Sequence, residues 1–307
     1  MGDRKRRTKG ESLAPRGGDS LSPTVSDLRC APGAWQLVPG LGGGAGEMKT
    51  SNNLPAATYQ KCSAHGVHEA PNLRPAVACI IPVYNHEQKI GEVIRQALEL
   101  GLPLFVVDDG STDKTPEVIA AIQGITVLHH PVNLGKGAAL LTGFAAAVED
   151  NCHWAITIDG DGQHRPEDAM TLIRAVADGE RVIVVGRREG MAAKNVPWSS
   201  RFGRGFSNFW VWVAGGPLIS DSQSGFRLYP LPESLQLGVK ARRYQFEVEV
   251  LVRARRGGID TIEAPIQVTY QAKGVRVSHF QPWLDFFRNS NTFTRLIVER
   301  IFRFNKK

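Results

Sequence analysis

From residue 75 onward, short apolar runs alternate with amphipathic stretches, and no other feature of this chain narrows its fold as much. "AVACIIPVYN", "LPLFVVDD", "GITVLHH", "HWAITIDGD" and "RVIVVGR" read as five strands. Between them the spacing predicts helices over 87–100, 115–123, 137–150 and 166–178. Pro166 falls in a first turn, where its missing N–H costs nothing. Strands that are apolar throughout are buried on both faces, and the intervening helices supply the covering layers. The expectation is an α/β domain on a mostly parallel sheet with helices on both faces. In such sheets ligands bind beyond the carboxyl ends of the strands.

Chemistry-bearing residues collect at those ends. Pro82-Val83-Tyr84-Asn85-His86-Glu87 follows the first strand, "DDGSTD" (108–113) the second and "NLGKGAAL", from Asn133, the third. The fourth runs into Asp159-Gly160-Asp161-Gly162-Gln163-His164. "DDGSTDKT" alone is a turn and helix cap, but carboxylates, a lysine and glycines at successive strand ends converge on one crevice. An EF-hand loop is excluded for the Asp-Gly-Asp run: its sixth position needs Gly and its twelfth Glu, whereas His164 and Met170 stand there. A dehalogenase-type phosphotransferase also ends a strand on D-x-D-G, but it continues with Thr or Val and opens its domain. Here Gln163 follows, after three strand–helix units. A carboxylate clamp for Mg²⁺ or Mn²⁺ on a nucleoside diphosphate suits hard ions that take one or two protein oxygens and leave the rest to phosphate and water. Lys136 lacks the G-x-x-x-x-G-K-[ST] spacing of a P-loop, and a surface lysine at a helix start is its plain alternative.

The first 74 residues differ in kind. Gly, Pro and Ser dominate, and "GLGGGAGEM" (40–48) has no apolar periodicity, so a disordered leader is expected, with Met48 as an alternative start. No strand precedes its glycines and no amphipathic helix follows, which removes a dinucleotide-binding loop. The longest uncharged apolar stretch, 205–220, falls short of the roughly 20 residues a spanning helix needs. Four scattered cysteines point to neither a zinc site nor a disulfide framework and fit a reducing compartment. The net charge of +7 suits nucleic acid, anionic lipid or a phosphorylated substrate.

Six motifs in order, "IPVYN", "VVDDGSTD", "NLGKGAA", "DGDGQH", "DSQSGFRLYP" and "YQFEVEVLVRARRGG", resemble those of family 2 glycosyltransferases. The resemblance covers about residues 75–270 and is to the dolichyl- and polyprenyl-phosphate sugar synthase branch. It implies the GT-A fold, a Rossmann-like, mostly parallel sheet. It also implies an inverting, metal-dependent transfer from a nucleotide-sugar to a membrane lipid such as a polyprenyl phosphate, with no nucleic-acid partner. By resemblance Pro82, Tyr84, Glu87, Asp109, Lys136 and Asp159 form the nucleotide-sugar pocket, with Asp109 accepting from the base and Asp159 near ribose and diphosphate. Asp161 ligates Mg²⁺ or Mn²⁺, with Gln163 as second oxygen. Arg227 grips phosphate with its forked donors, and Asp221 faces the acceptor, where a hydroxyl acceptor needs a base and a lipid phosphate does not.

The chain departs from the pattern in two places. His86 follows Asn85, and "QAKGVRVSHF" stands where relatives carry an arginine and G-x-S-K, leaving Lys273, Arg276 or His279 as substitutes. Both departures bear on the acceptor, so a hydroxyl of another lipid or glycan stays open. Outside this class the alternatives are the phosphotransferase and an inactive membrane-bound scaffold. The expected organisation is a leader (1–74), a catalytic domain (75–281) and a basic amphipathic helix (282–307). That last helix either closes the domain or lies on an anionic leaflet. The second is the expectation, which makes the enzyme cytoplasmic and peripheral to the inner face of a membrane.

Overall fold

A computed structural model describes residues 35–37, 59–61, 76–189, 198–267 and 282–304. Strands β1 (Trp35–Leu37) and β2 (Tyr59–Lys61) pair antiparallel, with Trp35 opposite Lys61. They fall inside the stretch expected to lack structure. Overall composition hides two three-residue segments in which aromatic side chains alternate with polar ones.

The main sheet has seven strands in the order β5-β4-β3-β6-β8-β7-β9. They are β3 (Val77–Val83), β4 (Leu104–Asp108), β5 (Thr126–His129), β6 (Trp154–Thr157), β7 (Ile183–Arg188), β8 (Arg227–Pro230) and β9 (Thr261–Ile266). Neighbours are parallel except that β8 runs antiparallel to both β6 and β7. The last two strands lie beyond the five read from periodicity. β8 is only four residues long and follows a polar loop, which masks it.

Period-two alternation along β3 builds two cores. Cys79, Ile81 and Val83 face one layer with α1 (Ile90–Leu98), α2 (Thr115–Ala120) and α4 (Ala169–Arg174). Ala78 and Ile80 face the other, with α3 (Lys136–Glu149) and α7 (Phe246–Arg256). The helix expected over 166–178 starts as a 3-10 turn at Pro166–Asp168 and ends at Arg174. Short α6 (Glu233–Gln236) follows β8.

A third cluster joins α5 (Trp198–Val213), α7 and α8 (Pro282–Phe304), where Phe293 and Leu296 of α8 are buried against Val211, Val248 and Val252. Arg256 Nη2 donates to Ala214 O at 2.8 Å and Leu296 O at 2.6 Å, and Arg300 Nη1 donates to Val213 O at 2.6 Å. The C-terminal helix is thus a packed part of the domain, not a free amphipathic tail. Its inner apolar stripe is the closing contact, while Val298, Ile301 and Phe302 stay exposed.

Candidate active site

The sheet topology brings the chemistry to one edge. Because β8 runs against β6, with Thr157 opposite Arg227, the loop entering β8 meets the carboxyl end of β6. The loops after β3 and β4 are tied together behind that edge. Asn85 N donates to Ser111 Oγ at 3.0 Å, Thr112 N to Asn85 Oδ1 at 2.8 Å and Lys114 N to Glu87 Oε2 at 2.9 Å. Glu87 therefore braces the second loop. Tyr84 is half-buried, and Pro82 is buried with its carbonyl beside Gly160.

Lys136, the first residue of α3, is the hub. Its Nζ lies 2.6 Å from Asp159 Oδ1 and 2.5 Å from Glu247 Oε1 of α7. The plain alternative of a surface lysine fails, since its side chain is only 16% exposed. A Cβ at position 225 would fall 2.5 Å from Lys136 Nζ and 2.6 Å from Asp159 Oδ2, so only glycine lets the β8 loop close over the pair. Burial opposes the charge on Lys136, but Asp159 and Glu247 outweigh it and hold the ammonium above its ordinary range. Burial likewise raises Asp159, yet Lys136 prevails and its carboxyl lies below the usual value.

Asp161 behaves oppositely. Burial and then the neighbouring Asp159 charge push its carboxyl up. Gln163 folds back on it, N–H donating to Oδ1 at 3.1 Å and Nε2 to Oδ2 at 2.5 Å. His164 packs 5.3 Å from Phe226 between ring centroids, and its Nδ1 is buried without a hydrogen-bond partner. Burial pushes this imidazole below its usual pKa despite both aspartates. The pair fits a hard divalent cation. A carboxylate and an amide on one turn are the hard-oxygen donor types such an ion takes, and the Asp161 carboxyl, raised first by burial and then by Asp159, is one that a cation would steady. Among the described residues no cluster of three His, Cys, Asp or Glu side chains is placed to hold a metal ion.

Three residues take roles other than those the motifs implied. Asp109 is buried, accepting from Leu134 N at 2.9 Å and Gly135 N at 2.8 Å and meeting His130 Nδ1 at 2.7 Å. Its two oxygens build the turn into α3. Arg227 is wholly buried, its Nε, Nη1 and Nη2 donating to Ser224 O at 2.6 Å, Glu247 O at 2.7 Å and Ser222 O at 2.8 Å. Its fork is committed to backbone and holds the loop instead of a phosphate. Asp221 is also fully buried. Arg188 Nε and Nη2 reach its two oxygens at 2.7 and 2.8 Å, so it does not face an acceptor.

Sequence reading missed two side chains of the site. Arg188 ends β7, pinned by Asp221 and adding its charge to Asp159 and His164. The rule that chemistry collects at strand ends points to it. Glu247 lies in a quoted motif, and its signal is a carboxylate inside an otherwise apolar helical run, "FEVEV". Lys273, Arg276 and His279 lie outside the described residues.

The fold and the sequence each have counterparts among known proteins. Mannosyl-3-phosphoglycerate synthase from Rubrobacter xylanophilus superposes with a TM-score of 0.54 at 17% identity, over 76% of this chain and 75% of that one. The profile described as glycosyl transferase family 2 matches residues 78–230. An uncharacterised protein of Methanocaldococcus jannaschii is 34% identical over 62% of this chain and 80% of its own. The UDP-N-acetylglucosamine–dolichyl-phosphate N-acetylglucosaminyltransferase of Methanococcus voltae is 29% identical over 64% of this chain and 89% of its own. The chain belongs to glycosyl transferase family 2 and is a glycosyltransferase of the GT-A fold.

Proposed function

We propose that this enzyme transfers a sugar, with inversion, from a nucleotide-sugar to a polyprenyl phosphate at a membrane surface, with Mg²⁺ or Mn²⁺ held by Asp161 and Gln163. The acceptor reading rests on one observation: both oxygens of Asp221 are taken by Arg188. A hydroxyl acceptor needs a carboxylate there to receive its proton, whereas a phosphate oxygen is already anionic and attacks the anomeric carbon unaided. The relative from Methanococcus voltae, whose name specifies dolichyl phosphate, supports the same reading. Arg188, steadied by Asp221, would orient that phosphate with paired donors. Lys136 holds Asp159 in place beside the donor, and Tyr84 and Glu87 line the rim of the nucleotide pocket. When bound, the divalent cation would offset the charge growing on the departing nucleoside diphosphate.

The surface beyond the site supports work at a bilayer. Phe209 and Trp212 of α5 and Val298, Ile301 and Phe302 of α8 are exposed, and residues 282–307 carry six basic side chains, of which Arg295 and Arg300 are bonded to the domain, against Asp285 and Glu299. Among the described residues no helix is long and apolar enough to cross a membrane. The reading places the enzyme peripherally, on the cytoplasmic side, through the exposed apolar residues of α5 and α8.

The test is a thermal-shift screen of nucleotide-sugars with and without Mn²⁺, followed by transfer to a short-chain prenyl phosphate and to the matching alcohol. Metal-dependent stabilisation by one donor and transfer to the phosphate alone is the expected result. Transfer to the alcohol alone refutes the acceptor assignment, and no stabilisation by any donor refutes the donor assignment.

A further inference from the structure

Glu249 is fully buried in α7, two residues beyond the glutamate that holds Lys136, and four donors converge on its carboxylate. Lys240 N and Ala241 N donate at 3.2 and 2.8 Å, Arg253 Nε at 2.6 Å and Arg295 Nη2, from α8, at 2.5 Å. A buried carboxylate is tolerated only when its lone pairs are answered, so this one acts as a knot tying three segments together.

The two amides belong to the segment that clasps the start of α3. Arg242 O accepts from Ala138 N at 3.0 Å. A Cβ on Gly135 would fall 2.5 Å from Arg242 O, and one on Gly137 would fall 2.9 Å from Ala241 O. Backbone therefore lies on backbone on either side of Lys136. Helix α7 places that lysine twice. Glu247 grips its ammonium directly, while Glu249 fixes the 240–242 strap that sets where its backbone begins.

We infer that Glu249 is a positioning residue for the donor side of the site, and that Arg295 makes α8 a working part of it. This rests on the proposal that Lys136 and Asp159 face the nucleotide. Cutting the Arg295 contact lets the strap, and with it Lys136 and Asp159, move without removing any group that touches the donor. Loss of a partner that orients a metal ligand costs about 10- to 100-fold in affinity or activity, and Arg295, which acts further out through a single Nη2 contact, belongs at the low end.

The experiment titrates UDP and GDP, each with Mn²⁺, into the full chain and into Arg295→Met, Arg295→Lys and Glu249→Gln, below each variant's melting point. Arg295→Met should weaken nucleotide binding by about tenfold. Arg295→Lys, which can supply one charged donor, should recover most of it. In turnover the donor KM should rise while kcat and the acceptor KM hold. Wild-type nucleotide affinity in Arg295→Met, or losses in kcat that follow the folded fraction, would overturn the inference. Because Glu249→Gln removes the buried negative charge and leaves one amide and one guanidinium facing an NH2 donor, it is prone to misfold, and the half-buried Arg295 pair decides alone if it does. A wild-type chain that binds neither nucleotide sinks the donor assignment and this inference with it. An Arg295→Met chain that binds as well as a competent wild type sinks the inference only.

Discussion

Arg227→Lys tests whether the arginine of the SGFR run serves the fold or the substrate. Three nitrogens of Arg227 donate to three separate carbonyls, of Ser224, Glu247 and Ser222, at 2.6–2.8 Å and with no solvent access. A lysine ammonium is a single point that cannot span the fork, so two of these carbonyls lose their partner. Each buried unpaired group costs about 1–3 kcal/mol, giving about 2–6 kcal/mol for the substitution. That is a large share of the about 5–15 kcal/mol that holds a domain folded. For a domain of this size the melting midpoint should fall by about 10 °C. Thermal and urea melts run beside turnover per folded molecule give the answer. The expected result is a lowered midpoint with near-normal turnover in the remaining folded fraction at low temperature. A wild-type midpoint with turnover abolished would mean that Arg227 reaches a phosphate after all, and would refute the reasoning.

Asp161→Asn should raise the metal-free melting point at pH 7 and abolish divalent-dependent nucleotide binding. A carboxyl raised by burial and by Asp159 makes the wild type gain stability as pH falls through that value, and melts in chelator across pH 4–8 should show this slope vanish in the variant. Lys136→Met should destabilise most between about pH 4 and pH 10. Asp159's lowered value supplies stability above the ordinary Asp range and loses it in acid, and Lys136's raised value supplies stability below the ordinary Lys range and loses it in strong base. Urea midpoints against pH check both limbs. Gly225→Ala puts a methyl 2.5 Å from Lys136 Nζ and 2.6 Å from Asp159 Oδ2, so turnover should fall far more than the about 1–3 kcal/mol of overpacking lowers stability. Removing α8 after Gln281 exposes Val211, Val248 and Val252, so loss of vesicle binding should come together with a lowered melting point.

The parallel half of the sheet was legible because strands buried on both faces read as near-continuous apolar runs, and β3, β4 and β6 are apolar up to their last residue, Asp108 in β4 and Thr157 in β6. β8 and β9 were not. Four residues of Arg-Leu-Tyr-Pro behind a polar loop carry no period, and "TIEAPI" alternates only weakly because its outer face is half-exposed. The motifs lie at the strand ends, but they could not separate residues with free polar atoms from residues whose polar atoms are committed to holding others. Asp109, Asp221 and Arg227 are polar residues in ligand-facing motifs, and each is turned inward to satisfy a loop or pin a partner. A one-dimensional pattern records which side chain is present, not which way its lone pairs point. The tail shows the same limit. Its three- and four-residue apolar spacing predicts a helix with one greasy stripe, yet Phe293 and Leu296 turn inward while Ile301 and Phe302 stay outside.

The site's charge can be counted from its contacts, and the count bears on the metal. Asp159, Asp161, Glu247 and Asp221 lie around Lys136 and Arg188, and a third fixed cation, Arg227, is bonded to Glu247 O, so four carboxylates stand against three cations. Burial, and then the charge of Asp159, push up the Asp161 carboxyl. A nucleoside diphosphate approaching this edge meets net negative charge, and Coulomb repulsion at a few ångströms in a poorly solvated site amounts to several kcal/mol. In the proposed reading a divalent cation at Asp161 and Gln163 would offset that repulsion. The same count requires that removing Asp161's charge cannot simply substitute for the ion. Asn at 161 lowers the imbalance but removes a ligand, so it should steady the metal-free fold while leaving the diphosphate with nothing to bind.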